Sequence, residues 1–416
     1  MLPFVVLVEQ VEAQCAQLGL RYQVWTNGGL DDELPQVLIA AVEHAILPQF
    51  QDLCIQLEST GRLARFVIDE CHTLVTHKDF RVAVRRVGAT IRCVDVPVLI
   101  LTATLPPEME DEVKVSFGCS QWQVIRKVED RKELEYNVLD LSEKAKTRAD
   151  YDRLFAETVN EIFDKFDEQD RGIVYCLDTK ETEKLAEYLN KVIWKRFCLP
   201  YHAKMSKEDR TAALDAWKAG RVIFLIATSA LGAGLDYGAV RAIIHHIQAK
   251  TLIDLVQETG RAGRDGSHAL ALTVYWNGMD EQLEWIPEHE RKAVMEWIHC
   301  KDCRKKLLSI AMHGTGESCL VQAGGRFCNN CVNVIQGKST VVAKPIIKSV
   351  RVTVPVLKRK REVETMEVTE AVLVKRMVND LKGVCSYCWL FAIPGGVKHA
   401  LFRCPYWLLL LRQANA

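Results

Sequence analysis

Residues 65–72 read RFVIDECH: the apolar run Phe66-Val67-Ile68 ends in two adjacent carboxylates, Asp69 and Glu70. Such a run between polar flanks suits a buried parallel strand. Ligands bind outside the carboxyl ends of strands in open α/β sheets. A carboxylate placed there can hold Mg²⁺ through water, and its neighbour can orient an attacking water. A strand that merely ends in acids is the plainer alternative. A second apolar run, VPVLIL at 96–101, leads into LTATLPP at 101–107 and puts the hydroxyls of Thr102 and Thr104 at its end. Pro106 and Pro107 block its continuation, and a Thr-Pro turn would explain it as well. Residues 257–266, QETGRAGRDG, carry Arg261 and Arg264 three apart. On one helical turn these would share a face. Paired guanidiniums suit phosphate oxygens better than lysines do, although a solvated basic helix has the same spacing.

The elements that must position these groups alternate along the chain. Residues 3–8 have the pattern of a strand and 9–18 that of an amphipathic helix. A short apolar run at 37–41 precedes helical patterning at 43–57. After the two motif-bearing strands, residues 129–170 are charged and helical in pattern. A second series follows: a strand at 172–176, a helix at 179–192 with Thr179 as its cap, and strands at 221–227 and 241–246. Between the last two lies TSALGAGLD, 228–236, whose small residues, Gly234 among them, let backbone approach a ligand just before Asp236. Strands alternating with helices predict an α/β fold with doubly wound parallel sheets.

The totals allow two to three domains in 416 residues. A chain 49% hydrophobic and 26% charged, with formal net charge zero, is ordinary for a globular protein. Whole-chain charge therefore predicts no polyanion partner, so any basic surface must be local. No apolar run reaches the length of a membrane span. Residues 1–8 lack a basic lead and meet Glu9 at once, which fits a strand better than a signal peptide.

The 15 cysteines are too scattered for a disulfide scaffold, and two late clusters have metal-ligand spacing, which favours a reducing compartment. Cys303, Cys319, Cys328 and Cys331 supply four thiolates, a set that suits a closed tetrahedral Zn²⁺ site. Cys300 competes as first ligand; Cys303 is preferred because Arg304 and Lys305 follow it. Cys385, Cys388, His399 and Cys404 form the second cluster, with the aromatics Trp389, Phe391, Phe402, Tyr406 and Trp407 around it. These could stack on unpaired bases or serve as a miniature core. Between the clusters, residues 337–361 carry eight basic residues and no acids, ending in KRKR. That run fits a nuclear-import or phosphate-binding arm, or a solvated linker. Residues 362–382 then have a helical pattern.

Taken in order, DECH, LTATLP, GIVYC, ATSALGAGLD and QETGRAGRDG resemble the RecQ family of ATP-dependent DNA helicases over roughly residues 1–335. DEAD-box RNA helicases share the architecture but differ in the acidic and arginine motifs. The variant is most similar to divergent fungal RecQ-like helicases often encoded near telomeres. The resemblance implies two RecA-like lobes that clamp ATP between them, single-stranded DNA lying across both, and 3′-to-5′ unwinding of DNA in the nucleus. It implies that Asp69 and Glu70 coordinate Mg²⁺ and activate water, and that Thr102 and Thr104 couple hydrolysis to movement. Gly234 and Asp236 would face nucleotide and DNA. Gln257 lies in the motif at the nucleotide, and Arg261 and Arg264 would contact the triphosphate, with Arg264 as the arginine finger.

Three departures qualify the resemblance. The family's phosphate-binding loop does not precede residue 3; the lookalike Gly337-Lys338-Ser339-Thr340 has Val332 where a glycine is required and follows the arginine motif. The family's aromatic loop keeps Phe80 and Arg81 but has no tryptophan across residues 76–81. Nothing resembles the winged-helix or helical accessory domains. The expected division is a truncated first RecA-like lobe at 1–140, a second at 141–280, a zinc subdomain at 281–335, a basic linker and helix at 336–382, and a zinc-knuckle-like module at 383–407. Loss of the loop's amide cradle and lysine predicts poor ATP hydrolysis. A non-catalytic nuclear DNA-binding or interaction protein derived from such a helicase is the alternative.

Overall fold

The computed structural model describes residues 5–31, 33–76, 81–118, 122–127, 131–193, 197–231, 235 and 237–338. All of them belong to one compact unit.

The first part of the chain holds two separate parallel pairs. Tyr22–Trp25 (β1) pairs with Val37–Ala40 (β2), and Phe66–Ile68 (β3) pairs with Val98–Ile100 (β4). Trp25, Ile68, Val87 and Phe117 lie in the core beneath these pairs. All three β4 residues are only half-buried, and β4 has no second neighbour among the described residues.

The second lobe is one six-stranded, all-parallel sheet. Its strands are Leu134–Asp140 (β5), Arg171–Tyr175 (β6), Cys198–Tyr201 (β7), Phe224–Ala227 (β8), Val240–His246 (β9) and Ala269–Tyr275 (β10), in the order β5-β10-β9-β6-β8-β7. β6 and β8 are buried at every residue, as strands covered on both faces must be. Trp217, on the helix Lys207–Lys218, is fully buried and donates from Nε1 to the carbonyls of Gly172 and Ile223, each at 3.1 Å. Gly172 is required where it stands, because a Cβ there would lie 2.0 Å from the Phe224 ring. Helices Arg148–Phe163, Thr179–Val192, Lys207–Lys218 and Leu252–Thr259 each begin with a side-chain cap, from Thr147, Asp178, Ser206 and Thr251. These caps satisfy amides that the helix itself leaves unpaired.

The α/β class and the parallel, RecA-like sheet match the sequence reading, but several elements need correction. The helix Val5–Gln17 covers most of the expected strand at 3–8, because an apolar run reads the same in a buried helix. The charged stretch after residue 129 contains β5 as well as a helix. Asp178, not Thr179, caps the next helix; its side chain accepts from the Glu181 amide at 2.9 Å. β1, β7 and β10 were not expected. No helix among the described residues is long and apolar enough to cross a membrane.

Candidate functional site

Asp69 and Glu70 follow β3 directly, at its carboxyl end. Asp69 Oδ1 accepts the Glu70 amide at 2.9 Å, and Glu70 has φ of 51°, in the left-handed region that non-glycine residues rarely occupy. The helix Cys71–Thr76 starts at once, and Thr73 Oγ1 donates to the Glu70 carbonyl at 2.7 Å. Burial pushes the Glu70 carboxyl above the usual carboxylate range, Asp69 adds to this, and Arg261 opposes it.

His72 is the hub of the site, although the sequence reading used it only as the last letter of a motif. Its ring is buried, with Nδ1 at 2.8 Å from Thr102 Oγ1 and 3.3 Å from Glu70 Oε2. Gln257, on the helix Leu252–Thr259, reaches it from the second lobe. Gln257 Nε2 donates to His72 Nε2 and to Thr104 Oγ1, the latter at 2.9 Å. With the amide in this orientation, His72 accepts at Nε2 and carries its proton on Nδ1. The Thr104 amide in turn donates to Thr102 Oγ1 at 3.2 Å. One hydrogen-bonded chain thus joins the acidic motif, the threonine motif and the arginine motif across the two lobes.

The two arginines do not share a helical face. The helix ends at Thr259, Gly260 caps it, and turns carry residues 261–266, with Gly263 at φ of 63°. Arg131 braces this turn: Nη1 donates to the Gly260 carbonyl at 3.1 Å and Nη2 to that of Ala262 at 2.5 Å. Glu258 is anchored below by His245 Nε2 at 2.8 Å, and burial raises its pKa. Arg264 Nη1 donates to the Leu235 carbonyl at 2.8 Å. Arg261 Nε is buried without a hydrogen-bond partner, and Glu70 Oε2, also buried, has the His72 ring at 3.3 Å. Buried polar groups of this kind are normally paired. An open guanidinium N–H close to a carboxylate at a strand's carboxyl end fits a phosphate group and a metal-bound or attacking water. Gly234, Asp236 and Phe80 lie outside the described residues. Arg131, His245 and Glu258 were not singled out from sequence; the direct proximity of Glu258 to Gln257 was the available signal.

Cys303, Cys319, Cys328 and Cys331 come together as expected. Their sulfurs lie within 4.8 Å of one another, all four residues are buried, and Cys303 and Cys319 Sγ are 3.3 Å apart. Zinc held at about 2.3 Å by four thiolates sets neighbouring sulfurs roughly 3.8 Å apart, so the donor set fits that ion. Hydrogen bonds shared among the four thiols lower the pKa of Cys303 and Cys328 and raise that of Cys319 and Cys331. Cys300 stays outside the group; its sulfur accepts from Arg304 Nη1 and Asn330 Nδ2, each at 3.5 Å. Asn329 fastens this module to β5: its amide donates to Asn137 Oδ1 at 2.8 Å and its Nδ2 to the Val138 carbonyl at 2.9 Å. Cys385, Cys388, His399 and Cys404 lie outside the described residues.

A family model described as the helicase conserved C-terminal domain matches residues 154–266. That stretch, within the second lobe, is similar to this domain. The chain is 29% identical over 348 residues to the ATP-dependent helicase SGS1 of Saccharomyces cerevisiae, covering 79% of this chain and 23% of that protein. It is 33% identical over 296 residues to the putative ATP-dependent DNA helicase Q1 of Caenorhabditis briggsae, covering 66% of this chain and 45% of that one. The chain thus spans less than half the length of these two relatives. In fold it is similar to the helicase MrfA bound to DNA and AMPPNP, with a TM-score of 0.53 at 15% identity, covering 70% of this chain and 44% of that one.

Proposed function

We propose that the chain is the motor portion of a RecQ-like, ATP-dependent 3′-to-5′ DNA helicase that acts in the nucleus. The observation that carries this reading is the chain Glu70–His72–Gln257, with Thr104 on the same amide. It links the groups needed for hydrolysis on one lobe to the arginine turn on the other. In this reading Asp69 holds Mg²⁺ through water and Glu70 orients the attacking water. Thr102 and Thr104 relay the state of the site, and Arg261 and Arg264 contact the triphosphate, with Arg264 as the finger. Gly234 and Asp236 face nucleotide and DNA. ATP supplies the phosphoryl group; these residues bind, orient and neutralise it.

The proposed division places the first lobe at 1–140, the second at 141–280, a zinc subdomain at 281–335, a basic linker and helix at 336–382, and a zinc module at 383–407. Cys303, Cys319, Cys328 and Cys331 hold one Zn²⁺; Cys385, Cys388, His399 and Cys404 hold another. Single-stranded or partly duplex DNA is the nucleic-acid partner, with the basic run at 337–361 adding phosphate contacts.

The reading is tested by equilibrium titration of the protein with a fluorescent ATP analogue and Mg²⁺. A hydrogen bond to a charged group contributes about 1.5–3 kcal/mol, so Arg261→Ala should weaken binding by about tenfold or more. Glu70→Gln, which leaves the phosphate contacts in place, should bind nearly as the parent does. Equal affinity of the parent and Arg261→Ala would contradict the assignment.

A further inference from the structure

Arg126 lies on the segment that leads from the first lobe to β5, and no motif claims it. Its guanidinium joins three parts of the fold. Nη1 donates both to the Leu105 carbonyl and to the Met312 carbonyl, each at 2.7 Å, and Nη2 donates to Glu110 Oε1 at 2.5 Å. The ion pair is sheltered, with the two side chains 24% and 22% exposed. Leu105 directly follows Thr104, the residue that accepts from Gln257 across the cleft. Met312 lies in the last turn of the helix Arg304–His313, which begins immediately after Cys303. The last carbonyls of a helix have no partner within it, and a cation suits that end of the dipole. Arg126 therefore acts as a cap supplied from 186 residues away. The helix end is also packed closely here: Gly314 terminates it at φ of 77°, and a Cβ on Gly314 would touch Pro107 at 3.4 Å.

The other end of this module is fixed elsewhere. Asn329 ties it to β5, and the Arg326 amide donates to the Lys132 carbonyl at 2.9 Å. The module is thus seated on the second lobe, while its long helix ends against the first. We propose that Arg126 is a positioning residue of the cleft: by clamping the end of this helix to the threonine turn, it sets the separation at which Thr104 and His72 meet Gln257. The helix acts as a strut, with its base on the second lobe and its tip held by Arg126. Lysine cannot replace arginine here, because one ammonium cannot hold two carbonyls and a carboxylate in this planar fork. The inference rests on the two-lobed cleft but requires no turnover, so it stands or falls separately from the proposed activity.

Amide hydrogen exchange on the 416-residue protein tests it. Peptides covering 102–110, 309–314 and 252–260 report the two clamped segments and the Gln257 helix; β8 and β9 serve as internal references. Loss of charged hydrogen bonds should raise local exchange by about tenfold. In Arg126→Gln the rise should appear in 102–110 and 309–314, and also in 252–260, which Arg126 does not touch, while the references keep their protection. Arg126→Lys should give the same pattern at smaller amplitude. A rise confined to 102–110 and 309–314 would reduce Arg126 to a local cap and overturn the proposal, as would no rise at all. If Arg126→Gln also loses reference protection, Arg126→Lys decides by the same criterion.

Discussion

The two lobes achieve their stability differently. The second lobe joins six parallel strands into one sheet, buries β6 and β8 completely and begins four of its helices with side-chain caps. Among the described residues the first lobe has two strand pairs that are not bonded to each other, and its helices Val42–Ala45, Pro48–Ser59 and Glu110–Phe117 lack a side-chain cap hydrogen bond. Asp69 and Glu70, the proposed catalytic carboxylates, sit on the less consolidated side. Regions with few ladder bonds and half-exposed strands open at lower free energy. In the proposed motor, the side that responds to nucleotide is therefore the side held in place by contacts with its surroundings: Gln257, Arg126 and the helix whose end Arg126 binds.

The largest expected effect would reverse this order. Trp217→Ala removes a fully buried indole and leaves the Gly172 and Ile223 carbonyls without their donor. Truncations of this size cost about 3–5 kcal/mol. In the parent, exchange under mild urea should open peptides of β3 and β4 before those of β6 and β8. In Trp217→Ala the second lobe should open first.

A smaller effect concerns pH. His246, at the end of β9, is buried against the rings of Tyr151 and Phe155, with Arg148 disfavouring its charge and Glu181 Oε1 3.8 Å away. Its pKa lies well below 6.5, mainly through burial. Below that value the unfolded chain takes up a proton that the folded chain does not. The stability contributed by neutral His246 is therefore present above pH 6.5 and lost as pH falls, by about 1.4 kcal/mol per unit. The thermal midpoint of the second lobe should fall between about pH 6.5 and 5.5, and His246→Leu should flatten that slope; an unchanged slope would remove His246 from the account.

The smallest effect makes one second-lobe helix resemble those of the first. Thr147 and Asp150 form a reciprocal capping box at the start of Arg148–Phe163. Thr147→Ala should cost about 1 kcal/mol in urea unfolding without changing the slope of the transition.

The contrast between lobes also governs what the sequence could disclose. β6, β8 and β9 are apolar runs bounded by turn residues, and each was visible. β7 was missed because Pro200 lies within it; on an outer strand the missing amide is tolerated. β5 alternates charged and apolar residues inside a charged stretch, as an outer strand with a half-exposed face does. The first turn of the first helix, residues 5–8, reads as a strand because so short an apolar run has no period to distinguish the two, whereas residues 9–17 read as helix. At the site, Asp69, Glu70, Thr102, Thr104 and the four clustered cysteines were evident from residue type and spacing. His72 as a hub and Arg126 as a clamp were not, because each also acts through partners distant in sequence, with Thr102 30 residues from His72 and Met312 186 from Arg126.

The central claim is that Glu70 and the arginine turn form the two sides of an ATP-hydrolysing cleft. The most direct test is phosphate release with single-stranded DNA present. The 416-residue chain contains no GxxxxGK[ST] segment, and each lost transition-state stabiliser costs about 3 kcal/mol, so its rate should lie close to background. Fusing a phosphate-loop segment ahead of residue 1 should produce DNA-stimulated turnover, and Glu70→Gln in that fusion should abolish it. Robust turnover by the 416 residues alone, or turnover in the fusion that survives Glu70→Gln, would contradict the account.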